Sequence, residues 1–278
     1  MAENTIILRL ENVSKSFAKV EHDEVTHALN EVDLSMKSGE FISLVGPSGC
    51  GKSTILRLVA GLIPPTTGHL TVNGTQITGP SPERGMMFQK PTLFPWLTVE
   101  KNISFSLKLQ GKLKGNEEKV ERMLKIIGLE SFRNDYPGQL SGGMAQRVSL
   151  VRSLINEPDI LLLDEPLGAL DAFTRMNMQD EILKVWQEKK QLAIMVTHDV
   201  DEAIYMGTRV IVMDAHPGRV VSDIKIDQAY PRERSSQTFV ACRNEILNAC
   251  TSAEETAVSS KTDRPVYSKK RRPYGLCT

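Results

Sequence analysis

The chain has 278 residues, about 1.9 times the ~150 of a typical domain, so it holds one large domain or two small ones. Hydrophobic residues make up 40% and charged residues 24%, which excludes a wholly disordered chain. Lys+Arg and Asp+Glu both number 34, so the net charge is zero and advertises neither nucleic-acid binding nor a membrane-surface role.

No apolar run approaches the ~20 residues needed to span a bilayer. The opening Met1-Ala2-Glu3-Asn4 lacks the basic and apolar regions of a secretory signal, and the expectation is a cytosolic chain. Cys50, Cys242, Cys250 and Cys277 form no CxxC pair and no zinc-type cluster. Cys242 and Cys250 are spaced to allow a disulfide, but a reducing compartment favours free thiols.

In chain order, Ile6–Val13 and Ala28–Ser35 read as strands, followed by the short apolar run Phe41–Val45. Thr54–Ala60 reads as a helix, and Leu70–Val72 before Asn73-Gly74 signals a hairpin. From about Gln89 to Asn156 the pattern is helical: Val120, Met123, Leu124 and Ile127 share one face, with Asn116 placed to cap the start and Gly128 the end. Ile160–Leu163, Leu192–Val196 and Val210–Met213 are unbroken apolar runs, suited to strands covered on both faces. Between the first two, Met178, Ile182, Val185 and Trp186 form another helical stripe. The alternation makes this an α/β protein. From Thr251 to Thr278 the composition turns polar, with a basic cluster at Lys269, Lys270, Arg271 and Arg272, and predicts a disordered, solvated tail. Contact of that cluster with anionic lipid is the alternative.

Gly46-Pro47-Ser48-Gly49-Cys50-Gly51-Lys52-Ser53 matches GxxxxGK[ST], the Walker A phosphate loop, between a strand and the helix that starts near Thr54. Its glycines let backbone N–H groups form a concave nest for phosphate, and the helix N-terminus adds its positive end. Lys52 supplies mobile charge for the β- and γ-phosphates; Ser53 offers a hydroxyl to Mg²⁺. Ile160–Leu163 then delivers Asp164 and Glu165 to a strand's C-terminal end, where α/β sheets bind ligands. Asp164 would hold the Mg²⁺ shell, and Glu165 would orient and deprotonate the attacking water. Nucleotide hydrolysis follows from the residues alone. The Asn-Lys-x-Asp of GTP-specific proteins is not present.

Leu140-Ser141-Gly142-Gly143-Met144-Ala145-Gln146-Arg147 resembles the signature motif of ATP-binding cassette (ABC) ATPases, with Met144 where the commonest form has Gln. The resemblance implies that Ser141 and Gly143 contact the γ-phosphate held by the opposite subunit; capping chemistry separately marks Ser141 as a helix start. Gln89 resembles the Q-loop glutamine that joins the Mg²⁺ and water site to the helical subdomain. Gly168-Ala169-Leu170-Asp171 resembles the D-loop, and His198 the switch histidine that senses the γ-phosphate. Phe17 resembles the aromatic that stacks on adenine, with core packing as its alternative. The motifs span approximately residues 6–230. They imply a phosphate-loop NTPase with a RecA-like α/β core, an antiparallel β subdomain and an inserted α-helical subdomain at about 90–156. A C-terminal helical extension is expected at 231–250.

Phe94-Pro95-Trp96-Leu97-Thr98-Val99, with Asn102 beyond it, resembles a segment of the ABC importer branch for nitrate, sulfonates, taurine and bicarbonate. Tyr230-Pro231-Arg232-Glu233-Arg234 is similar to that branch's end. The segment reads as a docking surface for a membrane subunit, with a plug in the subdomain core as the alternative. The implied partners are a second copy of the chain or a homologous ATPase subunit, transmembrane permease subunits and, indirectly, a solute-binding protein. Nucleic acid is not among them. The implied location is peripheral, on the cytoplasmic face of the inner membrane. A soluble ABC ATPase serving iron–sulfur assembly, translation or DNA maintenance is the alternative. Against it, the chain has one Walker A, no sustained heptads and no room for an inserted coiled coil.

Overall fold

In the computed structural model, residues 5–18, 25–215 and 217–262 are described, with side chains through residue 251. β1 (Ile7–Ala18) and β2 (Val25–Lys37) pair antiparallel and run beyond the apolar stretches that announce them, because pairing sustains their polar ends. β3 (Phe41–Val45), buried at every position, leads through the glycine-rich loop into α1 (Lys52–Val59). β4 (Thr67–Val72) turns at Asn73 and Gly74, both at positive φ, into the short β5 (Thr75–Gln76). β6 (Arg84–Met87) carries no apolar run; parallel pairing with a later strand makes it one.

Helices α2 (Val99–Leu109), α3 (Glu117–Ile126) and α4 (Gly142–Leu154) come next. The apolar stripe of α3 is buried through Val120, Met123 and Leu124. Asn116 occupies the N-cap position of α3 without capping it: its amide donates back to Lys112 O at 2.8 Å, a correction to the expected role. The helix ends as expected, with Gly128 at φ +61°, Gly128 N–H bonded to Lys125 O and Leu129 N–H to Leu124 O.

The chain continues through β7 (Ile160–Asp164), α5 (Ala172–Lys189), β8 (Leu192–Val196), α6 (Val200–Met206), β9 (Arg209–Asp214), β10 (Arg219–Lys225) and α7 (Gln237–Thr262). Helix α7 thus extends past 250, where the sequence ends its helical extension and begins a disordered tail. Residues 263–278, with the basic cluster and Cys277, lie outside the described residues. Cys242 and Cys250 form no disulfide. Among the described residues no helix is long and apolar enough to cross a membrane.

Two sheets result. The smaller has the order β2-β1-β4-β5 and is antiparallel; the larger has the order β10-β9-β3-β8-β7-β6 and is parallel except for β10. Side chains alternate across a strand, so one apolar run feeds two cores. Ile42, Leu44, Ile160, Leu162 and Ile194 pack with α1 and the smaller sheet. Phe41, Val45, Leu161, Leu163 and Met195 pack with the helices on the other face. A fully buried Leu of this kind contributes ~1.5–3 kcal/mol, which is why these strands read as unbroken hydrophobic segments.

Candidate active site

Parallel pairing of β3, β8, β7 and β6 sets four C-terminal strand ends along one sheet edge. Met87 lies beside Leu163, Asp164 beside Val196, and Val196 beside Leu44. The residues that follow these ends are Gln89, Glu165, His198 and the phosphate loop.

The loop's shape demands its glycines. Gly46 has φ +145°, and a Cβ there would lie 2.3 Å from Met213 O. Gly51, the residue before α1, has φ +91°, and a Cβ would meet Leu29 Cδ2 at 2.4 Å. Pro47, Ser48 and Gly49 form the rim, and the Cys50 side chain is buried beneath it. Lys52 folds its ammonium over the loop, donating to Gly46 O at 2.7 Å and Pro47 O at 2.9 Å. Ser53 and Thr54 occupy the first turn of α1, both half-buried.

Ser53 Oγ donates to Asp164 Oδ1 at 2.9 Å, joining the loop to the end of β7. Burial pushes the Asp164 carboxyl above its ordinary value, against the Ser53 hydrogen bond; neighbouring Glu165 adds to the rise. These are hard oxygen donors of the kind Mg²⁺ prefers. No group of three or more His, Cys, Asp or Glu side chains able to hold a metal occurs among the described residues. Mg²⁺ at a nucleotide site needs none, since one or two protein oxygens suffice beside phosphates and water.

Glu165 is the meeting point. Its Oε2 accepts a hydrogen bond of 3.0 Å from Gln89 Nε2 and lies 3.7 Å from His198 Nδ1. Its backbone adopts φ +48°, uncommon for a residue with a side chain. The His198 side chain is 70% exposed, so the carboxylate and imidazole face an open edge. His198 directly precedes α6, whose N-cap Asp199 accepts from the backbone N–H groups of Asp201 and Glu202. The C-terminal segment fastens that helix: buried Arg232 donates to Ile204 O and Gly207 O, and Arg243 pairs with Asp201.

Ser141 caps α4, accepting from Met144 N at 3.2 Å. Gly143 lies against the Gly168–Asp171 turn, close enough that a Cβ would sit 3.1 Å from Leu170 and 3.3 Å from Ala169 O. Among the described residues no hydrogen bond joins Ser141 or Gly143 to the phosphate loop. Phe17 lies near the end of β1, two residues beyond Lys15, whose cross-strand partner Leu29 lies against Gly51 of the loop. It is 39% exposed, so it is not a core residue, and Lys15 Nζ lies 5.1 Å from its ring centre. Trp96 is 70% exposed, which overturns its reading as a core plug. Phe94 stacks between Trp96 and Phe105, with ring centres 5.6 and 4.5 Å away.

Asn102 and Gln146 belong to motifs legible in the sequence, but their individual roles are not. Buried Asn102 accepts from Phe94 N and donates to the carbonyls of Phe94, Leu97 and Thr98, fixing the aromatic loop from within. Gln146, buried in α4, binds the backbone on either side of the Glu165–Ala169 turn. The signal for both was a polar side chain on an otherwise buried helix face.

The nest, the Ser53–Asp164 link and the carboxylate at the next position define a phosphate-loop nucleoside triphosphatase fold. The ABC transporter family model matches residues 29–168. An ABC transporter ATP-binding protein of Methanocaldococcus jannaschii is 46% identical over 87% of this chain and 90% of its own length. The aliphatic sulfonates import ATP-binding protein SsuB of Bacillus subtilis is 44% identical over 87% and 94%. The taurine import ATP-binding protein TauB of Roseobacter denitrificans is 43% identical over 92% and 98%. A solved dimeric ATP-binding cassette, in a post-hydrolysis state with ADP and Pi, superposes with TM-score 0.70 at 32% identity, covering 80% of this chain and all of that one. The chain belongs to the ABC transporter family.

Proposed function

We propose that this chain is the ATP-hydrolysing, energy-coupling subunit of an importer of small organic anions, aliphatic sulfonates and taurine foremost. The carrying observation is the convergence of Gln89 and His198 on Glu165, beside the Ser53–Asp164 link. The relatives named for sulfonate and taurine import support the solute class.

The loop N–H groups and Lys52 bind the ATP phosphates, with Lys52 exchanging its loop carbonyls for phosphate oxygens. Ser53 and Asp164, with Gln89, would hold Mg²⁺, which when bound neutralises charge on the phosphates. Glu165 takes a proton from the attacking water, and Gln89 fixes the carboxylate's orientation. His198 contacts the γ-phosphate from the neighbouring strand end, and Phe17 stacks on adenine. Ser141 and Gly143 serve the nucleotide of a second copy or homologous subunit, in a head-to-tail dimer. That dimer sits at the cytoplasmic face of the membrane beneath two permease subunits, with a solute-binding protein delivering cargo.

Phosphate release from ATP by the purified chain, with and without Mg²⁺, tests the enzyme. Uptake of labelled taurine and ethanesulfonate by cells lacking the chain tests the solute. Absence of Mg²⁺-dependent hydrolysis overturns the first, and unchanged uptake of both solutes overturns the second.

A further inference from the structure

Gln146 is 2% exposed and lies on α4, the helix that Ser141 begins. Both ends of its amide are used. Nε2 donates to the main-chain oxygen of Glu165 at 2.8 Å, and Oε1 accepts from Ala169 N–H at 2.8 Å. Glu165 is the residue held at φ +48°, a left-handed conformation that is strained for a residue with a side chain and persists only where its surroundings impose it. Its own N–H is bonded to Val196 O of β8 at 3.0 Å, and its carbonyl accepts from Gly168 N–H at 3.4 Å and, more closely, from Gln146. The first turn of α4 reaches the same segment through Gly143, packed on Ala169 and Leu170. Over the five steps from Ser141 to Gln146 a helix rises about 7.5 Å.

We propose that Gln146 is a positioning residue that couples the Ser141–Gly143 turn to the Glu165 carboxylate within one subunit. The inference rests on the ATPase reading above. On that reading, Ser141 and Gly143 touch the partner's nucleotide while Glu165 acts on the subunit's own. Any displacement of α4 as its first turn engages phosphate passes through the Gln146 amide to the Glu165 carbonyl, and so to the direction of its carboxylate. Ala169 N–H, bonded to the other end of the amide, moves with it. Gln146 touches no reacting atom; it sets when the general base is aligned.

The test uses the full chain in three forms: wild type, Gln146→Leu and Gln146→Glu. Gln146→Leu removes both hydrogen bonds and should lower kcat at least about tenfold, with KM for ATP changed less than about twofold. The Hill coefficient for ATP should fall to one. Gln146→Glu keeps the acceptor for Ala169 but donates to Glu165 O only when protonated, and burial raises a carboxyl's pKa. Its kcat relative to wild type should therefore fall as pH rises from about 6 to about 9, while that of Gln146→Leu stays low throughout. The pH signature needs only Gln146→Glu, so the test survives a Gln146→Leu protein that does not fold. Hydrolysis by wild type together with an unchanged kcat in Gln146→Glu across that range overturns the coupling. So does a parallel loss of Tm and ATP affinity, which would mark Gln146 as structural only. A wild type that hydrolyses no ATP overturns the functional reading instead.

Discussion

Gln89 Nε2 and Glu165 Oε2 meet at 3.0 Å although 76 residues separate them, because each follows the C-terminal end of a strand in one parallel pair. The contact orients the carboxylate through an amide donor. Glu165→Gln should therefore retain ATP affinity within about twofold and lower kcat by about 100-fold or more, the usual cost of losing a general base. Gel filtration with ATP should show an accumulated dimer. Near-normal turnover would remove Glu165 from that role.

The Ser53–Asp164 hydrogen bond joins the two groups proposed to hold Mg²⁺. Ser53→Ala should raise the Mg²⁺ concentration for half-maximal hydrolysis by about tenfold, equivalent to ~1.4 kcal/mol. A Mg²⁺ titration at saturating ATP reads the shift, and an unmoved midpoint would place the ion elsewhere.

Ser141 sits at the start of α4 and, among the described residues, has no hydrogen bond to the phosphate loop of its own chain. Ser141→Arg should spare ATP binding by the isolated chain and abolish dimerisation and hydrolysis together, a loss of at least about 100-fold in kcat. Equilibrium binding beside light scattering separates the two effects. Persistent hydrolysis in dilute monomer would refute the shared site.

Trp96 is 70% exposed and backed by Phe94, so it presents an aromatic anchor without filling the core. Trp96→Ala should shift Tm by no more than about 2 °C, as surface changes stay within about 0.5 kcal/mol. Loss of an interface anchor commonly costs at least ~2 kcal/mol, so capture of the permease subunits should weaken by about 30-fold. Normal assembly with unchanged Tm would move the docking surface elsewhere.

Burial pushes the Glu202 carboxyl above the ordinary 4.5, against hydrogen bonds from Thr197 and Gln179; Asp199 adds to the rise and Arg175 opposes it. The folded chain thus holds this proton more tightly than the unfolded chain does. The resulting stability is full below about pH 4.5 and is lost as pH rises through the folded-state value. Glu202→Gln keeps the shape and discards the charge, so its Tm relative to wild type should climb with pH across that window. Paired thermal melts read it; a pH-independent difference would count against a buried ionisable Glu202.

The sequence alone determined what depends on neighbours in the chain. The phosphate loop was legible because eight consecutive residues carry it, and Gly46 and Gly51 do occupy positive φ. Ser141 as a cap, the Gly128 terminus and the central strands were likewise readable, since each is a pattern within one segment. The cap at Asn116 failed because Lys112 O, four residues back, offered its amide a competing acceptor. Tertiary structure decided β6, where Arg84-Gly85 hides a strand defined only by pairing with β7. It also decided that Trp96 and Phe17 face outward, which no local periodicity encodes. Above all it assembled Gln89, Glu165 and His198 around one carboxylate and ran the Gln146 amide from α4 to the Glu165 carbonyl. Those contacts are set by the lateral order β6-β7-β8 and by helix packing on that sheet, and hydrogen bonding between strands follows that order and not distance along the chain.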